Sequence, residues 1–215
     1  MMKLFGFYRS SASYRIRIVL NVKGIEWENI PVHLTKGQQH EAEHVERNPM
    51  KLVPVLDTGE ALLAQSIAIA EYVESQFPEP PLLPTDAIQL AQVREMQNII
   101  SSEIQPITNL RILKHLRSEF GQDDEGVNEW CRIWIGRGFE AFEKRATERS
   151  TDGKYSFGDS LTLADAWLMP QFYNAIRFGL DLEPFPTIRS IVDHCSGIEA
   201  VAAAHPDKQP DAPRL

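Results

Sequence analysis

Lys3-Leu-Phe-Gly-Phe-Tyr-Arg-Ser-Ser-Ala-Ser-Tyr-Arg-Ile-Arg-Ile-Val-Leu20 is a short apolar strand that runs straight into Arg9, Ser10 and Ser11, followed by an amphipathic helix beginning near Ala12. Hydroxyls at a helix start meet free backbone N–H groups and the positive end of the helix dipole. Such a place stabilises an anion, whether a thiolate or a carboxylate. Arg9, directly before the hydroxyls, adds a fixed charge able to fork onto a carboxylate. An ordinary N-cap, Ser10 or Ser11, beside a solvated arginine accounts for the same residues.

Outward from this stretch the chain alternates strand and helix for eighty residues. Lys3–Tyr8 reads as a strand and 12–23 as a helix stopped by Gly24, with Trp27–His33 as a second strand. A helical crossover between two strands makes them parallel neighbours. Thr35–Asn48 reads as polar loop with a short helix. Val53–Asp57 and 61–64 flank Thr58-Gly59-Glu60 as a hairpin, and Gln65–Phe77 closes the segment as a helix. The order is βαβ then ββα, the thioredoxin type. Pro78-Glu-Pro-Pro-Leu-Leu-Pro84 cannot continue a helix and reads as a linker.

Beyond it strand signal is nearly absent. Leu90, Val93, Met96 and Ile100 recur at helical spacing, and Ile104, Ile107, Leu110, Leu113 and Leu116 extend the stripe across a kink at Pro106. Trp130, Ile133, Trp134, Phe139 and Phe142 read as a further buried helix, with 160–173 and 186–203 as the last ones. Thr162-Leu-Ala-Asp165 fits a helix-capping pattern in which Asp165 serves folding. The tail after His205 reads as loose surface packing. The division expected is a thioredoxin-like domain over 1–80, a linker over 81–87 and an all-helical domain over 88–215.

With 43% hydrophobic residues the chain has material for a sizeable core and is not globally disordered. No apolar run is long enough to cross a bilayer, and Arg9 comes too soon for a signal peptide, so a cytoplasmic protein without a membrane partner is expected. The net charge of −8 argues against a nucleic-acid partner. Cys131 and Cys195 offer neither a disulfide framework nor a metal spacing. The six histidines show no metal spacing either.

A thioredoxin-like domain joined through prolines to a helical domain resembles the glutathione transferase plan. Val53-Pro54 resembles that family's cis-proline, Gln65-Ser66 its γ-glutamyl clamp, and Gly158-Asp-Ser-Leu-Thr-Leu-Ala-Asp165 its helix-capping motif. Arg9-Ser-Ser-Ala-Ser-Tyr-Arg15, Asn48-Pro-Met-Lys-Leu-Val-Pro54, Gln65-Ser66, Ile104-Gln-Pro-Ile-Thr-Asn-Leu110 and Gln209-Pro-Asp-Ala-Pro213 narrow the resemblance to the zeta class, the maleylacetoacetate isomerases, and to the closely similar maleylpyruvate isomerases. Many zeta members carry cysteine where this chain has Ala12 and tryptophan where it has Tyr14.

The resemblance implies an enzyme of tyrosine and phenylalanine breakdown. With glutathione as cofactor it would convert maleylacetoacetate to fumarylacetoacetate by reversible addition of the glutathione thiolate to the cis alkene. Maleylpyruvate isomerisation in gentisate breakdown is the alternative, and a non-catalytic transferase-fold binding protein is a third reading. Ser10, with Ser11 as the other candidate, and Arg9 would be catalytic. Ser10, Ser11, Gln39, Val53, Pro54, Gln65, Ser66, Gln105 and Asn109 would bind glutathione, with Gln38 and His40 as neighbours contending for the Gln39 role. Gln105 and Asn109, four apart, would share a helix face. Arg9, Arg111 and Arg177 would bind a small dianionic diketo acid. Arg15 and Arg17 are expected to be structural. The family also implies a homodimer.

Overall fold

The computed structural model describes residues 1–213. Arg214 and Leu215, assigned above to the helical domain, lie outside the described residues.

Two compact units form: Met1–Leu82 together with the segment from Ile198 on, and Leu83–Gly197. In the first, β1 (Met2–Gly6), α1 (Ser11–Val22) and β2 (Trp27–Pro31) make the expected crossover, and α2 (Ala42–Arg47), β3 (Val55–Asp57), β4 (Leu62–Ala64) and α3 (Ser66–Gln76) complete it. The sheet order is β2-β1-β3-β4. β1 and β2 run parallel from Met2 opposite Trp27 to Gly6 opposite Pro31, whereas β3 is antiparallel to both β1 and β4. Phe5, Phe7, Val32, Val53 and Val55 form a buried cluster on the sheet. Gly6 ends β1 close against α1: a Cβ there would stand 3.1 Å from Ser13 Oγ, a tight contact that Ser13 would have to relieve by a few tenths of an ångström.

α1 packs against α3 and also against α9 (Glu199–Ala203). Cover on two sides explains why its residues from Ala12 to Leu20 are all buried, the arginines included. Here the sequence reading is corrected. Residues from 198 on belong with the first unit, because the chain returns to cover α1. The tail is not loose either: Gln209 is buried, its Nε2 donating to the carbonyls of Ala203 and His205 at 3.0 and 2.9 Å. The single helix expected over 186–203 is two, α8 (Pro186–Ser196) and α9.

The second unit holds α4 (Ala87–Asn98), α5 (Leu110–Phe120), α6 (Asp124–Arg149), α7 (Leu163–Arg177) and α8. α7 is its centre, with Trp167 and Leu168 fully buried and α4 and α8 packed on it. The Thr162–Asp165 capping box is present. Asp165 is fully buried and accepts from Ser156 N–H at 2.6 Å, Thr162 N–H at 2.8 Å and Thr162 Oγ1 at 3.0 Å.

Two expectations fail here. The stripe does not kink at Pro106 but breaks. α4 widens into a π-turn over Ile99–Ile104, closed by Gln105 N–H on the Ile100 carbonyl at 2.9 Å, and α5 starts afresh at Leu110. Proline lacks the N–H that a continuing helix requires. Ile104 fits only because residue 138 is glycine: a Cβ there would lie 2.2 Å from Ile104 Cδ1. In α6 the buried face is Val127, Cys131, Ile135, Phe139 and Phe142; Trp130, Ile133 and Trp134 lie off it, and Ile133 is exposed.

Candidate active site

In the first unit, Phe7–Ser10 is a turn closed by Ser10 N–H on the Phe7 carbonyl at 3.0 Å. Ser10 is the N-cap of α1, its Oγ accepting from Ser13 N–H at 3.2 Å. Ser11 is the first residue of the helix. A hydroxyl that accepts with a lone pair still carries a proton to donate. Capping and anion binding by Ser10 are therefore compatible. Arg9 is partly buried, its guanidinium 5.9 Å from the centre of the Tyr8 ring.

A second helix start lies at Ser66. Gln65 precedes it with φ 71°, a region that a non-glycine residue occupies only when its surroundings impose it. Ser66 is buried, and Arg15 Nη1 donates to its Oγ at 3.3 Å. Burial pulls the Arg15 guanidinium down to about 9, which leaves it charged at neutral pH. Helix starts leave N–H groups without intrahelical partners, so α1 and α3 each offer an anion site.

The Val53-Pro54 peptide is cis. The loop before it is held from α2 and its C-cap: His44 Nε2 and Asn48 Nδ2 meet the Leu52 carbonyl at 3.0 and 2.9 Å, and Asn48 Oδ1 accepts from Met50 N–H at 3.1 Å. Gln38, Gln39 and His40 form a 3-10 turn. Gln38 Oε1 accepts from His33 N–H at 2.8 Å, whereas Gln39 is buried with its Oε1 lacking a hydrogen-bond partner among the described residues. That orphan acceptor distinguishes Gln39 from Gln38.

In the second unit Asn109 is the N-cap of α5, its Oδ1 accepting from Arg111 and Ile112 N–H at 3.1 and 3.3 Å and its Nδ2 donating to the Pro106 carbonyl at 2.8 Å. Gln105 caps the π-turn before it. The two therefore do not share a helix face, because the break at Pro106 separates them. Trp130 Nε1 donates to the Ile107 carbonyl at 2.8 Å and ties this turn to α6. Arg111 is exposed in the first turn of α5, not on a helix with Gln105. Arg177 is exposed at the end of α7; Asn174 Oδ1 accepts from it at 3.1 Å and its guanidinium stacks 4.5 Å from the Phe178 ring centre.

Residues 1–75 match the family described as glutathione S-transferase, N-terminal domain. A maleylpyruvate isomerase of Ralstonia sp. is 46% identical over 211 residues, covering 98% of this chain and 100% of its own. The holo structure of a bacterial maleylpyruvate isomerase of the zeta class matches with TM-score 0.96 at 45% identity, over 98% of this chain and 100% of that one. The chain belongs to the zeta-class glutathione transferases, the maleylacetoacetate and maleylpyruvate isomerase family. Maleylacetoacetate isomerase of Anaeromyxobacter dehalogenans, solved with dicarboxyethyl glutathione and citrate in its active site, matches this zeta-class chain with TM-score 0.88 at 41% identity, over 99% and 94% of the two chains.

Both cysteines of this zeta-class chain are buried, and burial pushes each thiol up, that of Cys131 to about 11, so neither is a nucleophile at neutral pH. Among the described residues no cluster of His, Cys, Asp and Glu fits a metal, and no helix is long and apolar enough to cross a membrane. The sequence reading missed His44 and Asn48 as supports of Leu52 and Val53. The signal available was Asn48 at the head of the Asn48–Pro54 motif; His44 gave none.

Proposed function

We propose that the chain is a glutathione-dependent cis–trans isomerase of a maleyl diketo acid, with maleylacetoacetate as substrate. The observation that carries this reading is Ser10: a hydroxyl at the start of α1, free to donate, with Arg9 beside it. The local chemistry fits glutathione. A buried amide oxygen without a partner at Gln39 suits a peptide N–H, and two helix starts suit a thiolate and a carboxylate.

Gln65 and Ser66 would hold the γ-glutamyl carboxylate, Val53 before Pro54 would present its backbone to the cysteinyl part, and Gln39 would meet the glycine end. Gln105 would contribute from the π-turn. Asn109 would act through the turn it caps. When bound, glutathione supplies a sulfur that adds reversibly to the cis alkene, so that the former double bond turns as a single bond before the sulfur leaves. Ser10 donates to that sulfur and, with the dipole of α1, favours its ionised form. Ser11 is the alternative donor. Arg9, Arg111 and Arg177 bind the anionic groups of the substrate and stabilise charge that develops on its carbonyl.

Maleylpyruvate is the second reading, favoured by the 46% identity to the Ralstonia maleylpyruvate isomerase over the whole of that protein. Turnover of the two substrates, side by side with saturating glutathione, tests the proposal. A higher kcat/KM for maleylacetoacetate upholds it, a higher value for maleylpyruvate moves the assignment to the second reading, and no turnover of either removes the isomerase.

A further inference from the structure

Both backbone polar groups of Tyr8 are held by charged side chains. Its N–H donates to Asp211 Oδ2 at 2.8 Å, and its carbonyl accepts from Arg17 Nη2 at 2.8 Å. Asp211 lies 203 residues from Tyr8, in the segment that returns over α1. Its other oxygen accepts from Asn29 Nδ2 on β2 at 3.3 Å. Arg17, 2% exposed, also donates through Nε to the carbonyl of Ala204 in the same returning segment at 3.0 Å. Its Nη1 lies 3.5 Å from the Phe7 carbonyl, the group that closes the turn onto Ser10 N–H. Hydrogen bonds to charged groups are stronger than neutral ones. Pro210 and Pro213 flank Asp211 and restrict the backbone that delivers it.

The residue so held directly precedes Arg9 and Ser10. We propose that Asp211 and Arg17 are positioning residues: they make the C-terminal segment a strap that clamps Tyr8 and thereby sets where Arg9 and the Ser10 hydroxyl point. The inference rests on the isomerase reading above. A displacement of about 1 Å in a catalytic group costs up to a hundredfold in rate, so a clamp on the preceding peptide has a direct chemical consequence.

The test uses the full chain as Asp211→Ala, Asp211→Asn and Asn21→Ala. Asn21 Nδ2 donates to the Ala200 carbonyl at 3.0 Å and its Oδ1 accepts from Trp27 Nε1 at 3.1 Å, so Asn21→Ala removes contacts of α1 with α9 and with β2 while leaving the Asp211 and Arg17 bonds to Tyr8 and Ala204 in place. Five quantities are read: hydrogen exchange at the Tyr8 amide in the ligand-free protein, the pH midpoint of the bound glutathione thiol by thiolate absorbance, kcat, KM and the melting temperature. Asp211→Ala is expected to speed Tyr8 exchange, to raise the thiol midpoint and to lower kcat about tenfold. Asp211→Asn keeps an acceptor oxygen and restores most of all three. Asn21→Ala lowers the melting temperature alone. An Asp211→Ala protein that melts earlier but keeps the wild-type thiol midpoint and kcat overturns the proposal. If the wild-type chain fails to bind glutathione, the isomerase reading falls by itself. Tyr8 exchange then decides the clamp: acceleration in Asp211→Ala upholds it, and unchanged exchange refutes it.

Discussion

Arg15 on α1 and Ser66 at the start of α3 are joined by a guanidinium–hydroxyl hydrogen bond of 3.3 Å, with Arg15 only 1% exposed. The bond ties together two helices whose N-termini are both offered to anions. It places a buried positive charge behind the residue assigned to the γ-glutamyl carboxylate.

Arg15→Met separates support of the ligand from support of the fold. Arg15→Met removes the donor to Ser66 Oγ and keeps an apolar stem of similar length in the same buried place. Loss of the charge and of the hold on Ser66 is expected to weaken glutathione binding by about 1.5 kcal/mol, roughly tenfold. Calorimetric titration and a thermal melt on one sample check this. An unchanged Kd with a large fall in melting temperature would return Arg15 to a purely structural role.

The Ser10 assignment predicts two losses from one substitution. Ser10→Ala removes the cap on Ser13 N–H, at about 1 kcal/mol of stability, and removes the donor to sulfur, at roughly ten- to a thousandfold in kcat. Ser11→Ala, inside the helix, is expected to cost little stability. Should Ser11→Ala abolish turnover while Ser10→Ala only lowers the melting temperature, Ser11 is the sulfur donor.

Arg111 and Arg177 are exposed and sit at a helix start and a helix end. Arg111→Met and Arg177→Met are each expected to lose about 1.5–3 kcal/mol of substrate binding, roughly ten- to a hundredfold in kcat/KM, with glutathione affinity kept. A dicarboxylate competitor should weaken in parallel and with a dependence on ionic strength. Wild-type kinetics in both variants would strip these arginines of the substrate role.

Much of the first unit was legible because its cues are local. Gly24 stops α1, Thr58-Gly59-Glu60 turns the hairpin, and the prolines from Pro78 on end the segment. Asp165 was legible too, as a hydroxyl and an acid three residues apart. The missed features rest on distant partners. Nothing near Asp211 indicates that Tyr8 will claim it. Arg15 is buried where α1 meets Ser66 of α3, and Arg17 is covered by a segment that the chain supplies only after residue 198. Pro106 announced a disturbance but not its form, because the π-turn depends on Gly138 leaving room for Ile104. Trp130 and Trp134 fit a buried stripe by hydrophobicity alone, yet the Trp130 indole leaves the core face to reach the Ile107 carbonyl.

Asp165 makes a stability prediction independent of the ligand. Asp165→Ala leaves two N–H groups, of Ser156 and Thr162, facing an apolar side chain in a fully buried place. Each such unsatisfied donor costs about 1–3 kcal/mol, so a total of roughly 2–6 kcal/mol is expected in denaturant unfolding. A loss below about 1 kcal/mol would mean that the α6–α7 connection rearranges without penalty.

His205 gives the returning segment a dependence on acid. Its Nδ1 accepts from Asp207 N–H at 3.3 Å, which requires that nitrogen to be unprotonated, and its ring stands edge-on to Tyr14 with centres 6.0 Å apart. Burial lowers its pKa from 6.5, Lys208 and Arg17 add to the lowering, and Asp207 opposes it. Between the folded value and 6.5 the unfolded chain binds a proton that the folded chain refuses. The stability contributed by neutral His205 is therefore complete above 6.5 and is lost as pH falls through the folded value. His205→Asn, which does not titrate, is expected to remove this component. The difference in unfolding free energy between wild type and His205→Asn should move against the wild type from about pH 7.5 to about pH 5. Denaturant curves at both pH values measure it, and parallel pH dependence in the two proteins would show that His205 is not what acid loosens.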